Sequence, residues 1–266
     1  MVKQIIMNPY YLKNKTVVSF SGGRSSAYML YKIIEAHNFN LPDYIKVIFC
    51  NTGKEMPHTL QFVKDCADKW SVDIVWLEYA GKKKYKEVTY DTASRNGEPF
   101  KQLIIDKNYL PNSMARFCTS ELKVLTIERY MKCDFDTAVG IRGDEPRRVV
   151  KMRAKENYLV PLADAKVTEV DVSEFWQAQD FDLQLPKAEF NTLSNCDLCF
   201  LKGTGIRKSI IEQNHRLADW WIEQEEYMNA RFNKDSPKYS DLKIIATDQS
   251  NLFEFDNNTM SCFCSD

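Results

Sequence analysis

The chain has 266 residues, of which 44% are hydrophobic and 27% charged, and its formal net charge is −1. This length suits one large domain or a domain with an appendage, and the composition allows a sizeable core. The near-zero charge excludes a global attraction to nucleic acid or to a membrane surface, but it leaves room for a local basic groove. No apolar run reaches the ~18 residues of a membrane span, and the first residues lack the apolar stretch of a signal peptide. We therefore expect a cytoplasmic protein with no membrane partner.

The first predicted unit is a strand over residues 16–20, a glycine turn, and a helix over residues 26–37. The polar and small residues of the turn are Ser19, Ser21, Gly22, Gly23, Arg24, Ser25 and Ser26. Glycines let the backbone approach a ligand closely, and a helix N-terminus is a ready anion site. One of the last two serines is predicted to cap the helix. The pattern suits phosphate binding or an ordinary strand-to-helix turn, but it is not a Walker A loop, since no Gly-Lys-Ser/Thr follows.

The following elements alternate between strands and helices. Predicted strands cover residues 44–50, 72–79 and 135–141, and predicted helices cover residues 59–70, 98–107, 121–131, 170–179 and 215–232. The strand at 44–50 is almost continuously apolar, as expected for a parallel strand covered on both faces. The alternation predicts an α/β fold with a parallel doubly wound sheet.

Residues 80–96 interrupt this alternation, and no regular element is predicted for them. They contain Lys82, Lys83, Lys84, Lys86 and Arg95. A charge run of this kind is typical of a solvated face. The alternative is a mobile lid that contacts a phosphorylated or polynucleotide substrate.

A second polar loop follows the strand at 135–141 and begins at Arg142. Ligands of open parallel sheets bind beyond the carboxyl ends of the strands, so the glycine turn and Arg142 are expected to face one crevice. Arginine presents forked donors that suit phosphate or sulfate. The alternative is that Asp144 and Glu145 form surface ion pairs with Arg147 and Arg148.

Four segments resemble, in the same order, motifs of the PP-loop ATP pyrophosphatases and of phosphoadenosine phosphosulfate (PAPS) reductase-like proteins. Residues 21–26 resemble S-G-G-x-x-S, residues 51–57 resemble D-T-G-x-x-F-P, and residues 116–123 resemble R-x-C-T-x-x-L-K. Residues 140–148 resemble the first nine positions of G-I-R-x-D-E-S-x-x-R. The resemblance implies an adenine nucleotide α-hydrolase-like domain over residues 1–165. A mainly helical, cysteine-bearing C-terminal extension follows over residues 166–266.

The resemblance also implies a bound adenine nucleotide, which is ATP, PAPS or adenosine phosphosulfate (APS). The implied cofactor-binding residues are Ser19, Ser21, Gly22, Gly23, Arg24, Ser25, Ser26, Asn51, Thr52, Gly53, Gly140, Ile141 and Arg142. The serine loop would take the phosphates, and the backbone near residues 52–53 and 140–141 would contact adenine and ribose. Arg142 would neutralise developing charge, and Lys123 would assist.

The chain contains eight cysteines, many for a cytosolic protein. In a reducing compartment such a set indicates metal or redox chemistry more often than disulfides. Cys50, Cys66 and Cys133 are predicted to be structural, because a buried free cysteine behaves as a small hydrophobe. Cys196 and Cys199 form a C-x-x-C, which suits a zinc half-site, a redox dithiol or part of an iron–sulfur site.

Iron–sulfur APS reductases carry a cysteine pair where this chain has Cys118 and Thr119, followed by a distant C-x-x-C. The similarity implies that Cys118, Cys196 and Cys199 converge on one metal site, with Cys264 or Cys262 as the fourth ligand; spacing does not decide between these two. Cys264 is slightly favoured, which leaves Cys262 as a catalytic nucleophile. Four thiolates suit a 4Fe-4S cluster or tetrahedral zinc, and a site without metal is the third alternative.

These observations lead to a sulfur-transfer hypothesis. In the favoured version ATP is cleaved with release of pyrophosphate, and a substrate oxygen is adenylated. A cluster-associated sulfur then displaces the adenylated oxygen. This version resembles nucleic-acid thiolation enzymes and DNA phosphorothioation proteins, and it implies a nucleic acid as sulfur acceptor together with a sulfur donor.

Two alternatives stay open. A thiolate could attack PAPS or APS and release sulfite with the help of a thiol reductant. Typical PAPS reductases end in E-C-G-L-H, whereas residues 261–266 of this chain are Ser-Cys-Phe-Cys-Ser-Asp, which favours the first version. The protein could also be a non-catalytic nucleotide-binding subunit with a structural metal. The oligomeric state, with a homodimer as one option, is not decided by the sequence.

Overall fold

A six-stranded sheet with the strand order β4-β3-β2-β1-β5-β6 organises the fold. This computed structural model describes residues 8–185 and 196–248. The strands are β1 (Thr16–Ser19), β2 (Ile45–Asn51), β3 (Ile74–Tyr79), β4 (Tyr85–Val88), β5 (Asp136–Val139) and β6 (Tyr158–Leu159). Neighbouring strands are parallel except for β3 and β4, which are antiparallel. The predicted α/β fold class with a parallel sheet is confirmed.

Helices connect and cover the strands. Within the described residues they are α1 (Arg24–Ala36), α2 (Pro57–Trp70), α3 (Glu98–Lys107), α4 (Phe117–Thr119), α5 (Leu125–Met131), α6 (Pro146–Arg153), α7 (Pro161–Asp164), α8 (Glu169–Gln177), α9 (Thr204–Gln213), α10 (Leu217–Tyr227) and α11 (Tyr239–Thr247). A π-helical turn, Ser120–Val124, joins α4 to α5. None of the helices in residues 8–185 and 196–248 combines the length and the apolar character that a bilayer span requires.

Four sequence expectations about local structure differ from the structure. Helix α1 starts at Arg24 with Gly23 as its N-cap, so Ser25 and Ser26 lie inside the first turn and do not cap it. The interval at 80–96 contains strand β4, and the charged loop after β5 continues into helix α6. The helix predicted over 215–232 is shorter at both ends, because it spans only Leu217–Tyr227.

The first core lies between the sheet and helices α1, α2 and α8. Leu30 and Ile33 of α1, Phe62 of α2 and Trp176 of α8 pack with Val18 of β1 in one buried cluster. Burial of one such side chain contributes about 1.5–3 kcal/mol, so this layer accounts for much of the stability of the sheet. Because α8 joins that cluster, the sheet layer extends past residue 165. The division of the chain at residues 165 and 166 stays a prediction.

A second core forms where helices α9, α10 and α11 pack beside α3. Trp221 and Phe232 are fully buried there with Phe100, and Leu198 of the cysteine segment belongs to the same cluster. The indole ring of Trp221 lies 6.0 Å from the ring of Phe100. The aromatic residues of α10 therefore hold the C-terminal helices against the edge of the sheet where the site lies, as the sequence predicts for packing side chains.

Candidate active site at the carboxyl edge of the sheet

Three polar loops lie side by side because their strands are neighbours. β1 pairs in parallel with β2 on one side and with β5 on the other. The segments that follow these strands are the serine turn, residues 52–55 and residues 140–142. Parallel strands place their carboxyl ends on one edge, so the topology brings together the three loops that the sequence assigned to one crevice.

The serine turn is a compact hydrogen-bonded loop. The hydroxyls of Ser21 and Ser26 lie 2.8 Å apart, and the Ser26 hydroxyl donates to the carbonyl of Gly23 at 3.0 Å. Gly22 has a φ of +81°, and a β-carbon there would lie 2.7 Å from Cγ2 of Thr59. Only glycine fits this position, because a side chain would be strained and would also collide with α2.

Arg142 joins the third loop to the serine turn. Its guanidinium NH1 donates to the Ser25 hydroxyl at 3.2 Å, and its Nε donates to the Asp144 carboxylate at 3.0 Å. At Gly140 an added β-carbon would lie only 2.7 Å from Cα of Ser26. The two loops are therefore in backbone contact, and Arg142 places positive charge beside the first turn of α1.

The other charged residues near Arg142 are engaged in ion pairs or exposed. Arg148 pairs with Glu145, which matches part of the surface ion-pair alternative, whereas Asp144 pairs with Arg142 and not with Arg147. Arg24 points away from the loop and pairs with Asp182. A side-chain role for Arg24 at the phosphates would therefore require it to leave that partner.

Residues 52–55 contact the cysteine segment directly. Glu55 and Cys196 form an isolated antiparallel β-bridge, and the Asp197 amide donates to the Lys54 carbonyl at 2.8 Å. The hydroxyl of Thr52 lies 3.4 Å from Sγ of Cys196. The motif predicted to bind the nucleotide and the C-x-x-C thus form one surface.

A buried ion pair reinforces this contact. The Lys54 ammonium lies 2.8 Å from the Asp197 carboxylate, with side-chain exposures of 6% and 5%. Trp221 Nε1 donates to the same carboxylate at 2.8 Å. The sequence analysis did not select Lys54 or Asp197, although each lies inside a motif that it did select. Their pairing could not be inferred from spacing, because 142 intervening residues separate them in the chain and only the fold brings them together.

A small cavity of about 20 Å³ brings the three predicted cysteine ligands together. Cys118, Cys196 and Cys199 all line it, together with Lys123 and otherwise mainly apolar residues. Lys123 also pairs with the buried carboxylate of Glu55, its ammonium lying 3.5 Å from Oε1. Lys123 therefore lies between the cysteine cavity and the 52–55 loop. Glu55 is a further site residue that the sequence analysis missed.

Burial governs the protonation of this region. Burial raises the pKa of the Cys196 thiol well above its ordinary value, and the nearby Glu55 carboxylate adds to the rise. Burial also lowers the pKa of Lys202, whose ammonium donates to the Asp197 carbonyl at 2.8 Å. Cys196 is thus a neutral thiol near pH 7, and a metal that bound it would have to displace its proton.

The donor set suits a thiolate-bound metal, because three thiols face one mostly apolar cavity. In residues 8–185 and 196–248, however, no group of three or more His, Cys, Asp or Glu side chains is already arranged to hold an ion. Cys262 and Cys264, the predicted nucleophile and fourth ligand, lie outside the described residues. A four-thiolate centre would need one of these or another ligand in addition.

The three cysteines predicted to be structural divide into two groups. Cys50 and Cys66 are buried in the sheet and in α2, as predicted. Cys133 is exposed at the amino edge of the sheet, where it accepts a hydrogen bond from the ammonium of Lys15 at 3.5 Å. The expectation of a buried core thiol was wrong for Cys133, because it lies in the loop between α5 and β5.

The order and contact of these loops agree with a comparison to protein families. Residues 15–183 match the phosphoadenosine phosphosulfate reductase domain. The chain belongs to this family. The match covers the sheet and all three loops at its carboxyl edge, and it ends after α8, before the cysteine segment at residues 196–202.

Two similar proteins give context to this PAPS reductase domain. The chain is 31% identical over 212 residues to the uncharacterized nin region protein ORF290 of Escherichia phage lambda. That match covers 71% of this chain and 66% of the phage protein. A solved structure, the U34-tRNA thiolase NcsA from Methanococcus maripaludis with its 4Fe-4S cluster, is 16% identical with a TM-score of 0.38. Its alignment covers 83% of this chain and 73% of the thiolase.

Proposed function

We propose that the protein is an adenine-nucleotide-dependent sulfur-transfer enzyme that activates its substrate with ATP and releases pyrophosphate. One observation carries the proposal: the Arg142 guanidinium reaches the Ser25 hydroxyl, at 3.2 Å, beside the start of α1. The N-cap of α1 has no side-chain hydrogen bond, so the N–H groups of its first turn suit an anion. Arg142 and these amides would stabilise charge that develops on the phosphates.

The thiols that flank residues 52–55 support the sulfur-transfer part of the proposal. Cys118, Cys196 and Cys199 would hold a 4Fe-4S cluster or zinc, and a bound cluster would supply a site that carries sulfur to the activated substrate. Lys123 beside Glu55 would orient the substrate between nucleotide and thiols. Cys262 and Cys264 keep their proposed roles as nucleophile and ligand. A sulfur donor and a reducing, cytoplasmic setting belong to the same proposal.

We propose a nucleic acid as the sulfur acceptor. The turn between β3 and β4 supports this, because Lys82, Lys83 and Lys84 are exposed there at the carboxyl edge of the sheet. Within the described residues the ammonium groups of these lysines take part in no ion pair. Three such cations suit the phosphate backbone of a polynucleotide.

A second candidate function is reduction of PAPS or APS by a thiolate, with release of sulfite. The description of the matched family favours it. The same serine turn and Arg142 would then hold the sulfonucleotide. In a third candidate, the protein binds nucleotide and a structural metal but turns nothing over.

The test measures pyrophosphate release from ATP and sulfite release from PAPS or APS, on protein purified without oxygen. Sulfur transfer predicts pyrophosphate, reduction predicts sulfite, and binding of ATP without either product supports the non-catalytic subunit. The matched variants are Gly140→Ala, whose β-carbon would lie 2.7 Å from Cα of Ser26, and Gly143→Ala, whose nearest contact would be 3.3 Å. Only Gly140→Ala should abolish nucleotide binding. Wild-type protein that binds none of these nucleotides would end the proposal.

A further inference from the structure

Glu78 is a fully buried carboxylate at the end of β3, with a relative exposure of 0%. It accepts hydrogen bonds from Nδ2 of Asn51 at 2.6 Å and from the amide and hydroxyl of Ser94 at 2.6 and 2.8 Å. The Lys86 ammonium lies 2.8 Å from its second oxygen. Removing a carboxylate from water carries a desolvation cost, and these donors offset it.

Asn51 connects this carboxylate to the segment predicted to contact the nucleotide. Its Nδ2 donates both to Glu78 and to the Ser94 carbonyl, the latter at 2.8 Å. Its Oδ1 accepts the amide N–H of Gly53 at 3.0 Å. Both polar atoms of the side-chain amide therefore have protein partners, and Asn51 is fully buried.

The Glu78 carboxylate also holds residues 94–97, the segment that packs over Gly53. Ser94 is held by Glu78, and three residues later the Gly97 amide donates to the Gly53 carbonyl at 2.8 Å. Gly53 has a φ of +76°, and a β-carbon on it would lie 3.0 Å from Gly97. The backbone of Gly53 is thus held at its amide through Asn51 and at its carbonyl by Gly97.

We infer that Glu78 and Asn51 are positioning residues that set the backbone of Thr52 and Gly53 for the adenine nucleotide. The inference rests on the proposed function only in taking residues 52–53 as part of the nucleotide site. Residue 51 is asparagine where the motif D-T-G-x-x-F-P, which residues 51–57 resemble, has aspartate. An aspartate beside Glu78 would offer no donor and would add a second buried negative charge.

The variant Asn51→Asp tests this inference through its dependence on pH. Two carboxylates this close can stay in contact only if they share a proton. In the variant the hydrogen bond between residues 51 and 78 should therefore form at low pH and be lost at high pH. The cation that pairs with Glu78 is Lys86 of β4. Lys54, which follows Gly53 in the chain, pairs instead with Asp197. We expect the affinity of Asn51→Asp for ATP, relative to wild type, to fall at least about tenfold between pH 5.5 and pH 8.

Asn96→Asp is the matched control, since it makes the same change in an exposed loop beside the carboxylate of Glu98. Its affinity relative to wild type should not change with pH. The double variant Asn51→Asp/Glu78→Gln restores a donor between the two side chains and removes one negative charge. The glutamine amide nitrogen cannot accept the Ser94 N–H that Oε1 of Glu78 also accepts, so we expect the double variant to recover part of the affinity at pH 8. This rescue also covers the case in which Asn51→Asp does not fold at that pH.

The outcomes separate this inference from the proposed function. Wild-type protein that binds no ATP in calorimetry contradicts the proposed site. Wild-type protein that binds ATP, with Asn51→Asp behaving like Asn96→Asp at both pH values, overturns the positioning role alone. A double variant that binds no better than Asn51→Asp at pH 8 also overturns it.

Discussion

Arg142 is the side chain on which the proposed chemistry depends most. Its guanidinium spans the Ser25 hydroxyl and the Asp144 carboxylate. Arg142→Ala should slow the chemical step by raising its activation free energy by about 2–4 kcal/mol, the scale of losing one oriented charge stabiliser. Turnover is measured as pyrophosphate or sulfite release, and Arg147→Ala, which removes an exposed arginine from the start of α6, is the control. Equal activity of the two variants would assign Arg142 to surface pairing.

His37 makes the folded state sensitive to acid. Burial lowers its pKa from the ordinary value of 6.5, and its Nε2 accepts the amide N–H of Leu12 at 3.1 Å. Because the folded pKa is the lower one, the stabilisation by the neutral ring is complete above the unfolded pKa. It is lost as the pH falls towards the folded pKa.

Urea unfolding of wild type and His37→Gln between pH 8 and pH 5 measures this effect. Glutamine keeps an acceptor and does not titrate, so the stability advantage of wild type should shrink as the pH falls. The control is His215→Gln, which changes an exposed histidine. Parallel stability profiles for wild type and His37→Gln would contradict the assignment.

Some site residues could be predicted from the sequence, and others could not. The serine turn and Arg142 could be selected from the sequence because each lies in a short motif directly after a predicted strand. The role of Asn51 could not, because it depends on Glu78, which is 27 residues away and on another strand. The paired residues Lys54 and Asp197 were hidden for the same reason.

The β3–β4 turn is the element on which recognition of a nucleic acid would depend. Changing Lys82, Lys83 and Lys84 to glutamine should weaken binding of a short polynucleotide. The slope of log affinity against log salt concentration should fall in magnitude by about one for each phosphate that is no longer neutralised. Fluorescence anisotropy at several salt concentrations measures both quantities. The control changes Lys13, Lys15 and Lys155 to glutamine, which alters the net charge equally at the opposite edge. Identical salt slopes for the two variants would exclude this turn as the binding element.

The elements missed from the sequence, β4 and α6, both lie in charged stretches. β4 is a short edge strand whose Lys86 and Glu87 are exposed, although the Lys86 ammonium also pairs with the buried Glu78. Exposed charges on an edge strand resist further pairing. Its polar composition therefore resembles that of a loop. Helix α6 follows a run of charged residues, yet Pro146 in its first turn was a usable start signal. The long buried elements β2, α2 and α3 were predicted nearly to their ends, because apolar periodicity marks them.

The Lys54–Asp197 ion pair holds the cysteine segment to the sheet domain. Lys54→Met leaves the Asp197 carboxylate buried without its cation and should destabilise the fold by about 3–5 kcal/mol. Lys64→Met removes one partner of the exposed pair with Asp68 and should cost less than about 1 kcal/mol. Urea unfolding compares the two variants. Equal losses of stability would mean that the buried pair does not clamp the segment.

Metal content tests whether the three cysteines act as one site across the whole molecule. Cys196→Ala and Cys199→Ala should each remove bound iron or zinc from protein purified without oxygen, whereas Cys50→Ala and Cys133→Ala should not. Iron with broad charge-transfer absorption identifies a cluster, and colourless protein with stoichiometric zinc identifies a structural metal. Retention of metal by Cys196→Ala and Cys199→Ala would contradict a shared site.

The contact between Thr52 and Cys196 joins positions 144 residues apart in the chain. Contacts of such large sequence separation form late, because closing the loop costs entropy that only an already assembled partner surface can repay. The order of events during folding follows from this. We expect the parallel sheet to collapse first and the C-terminal helices to dock afterwards and close the thiol cavity. If the three cysteines hold a metal, as proposed, the metal would have to enter before this docking closes the cavity.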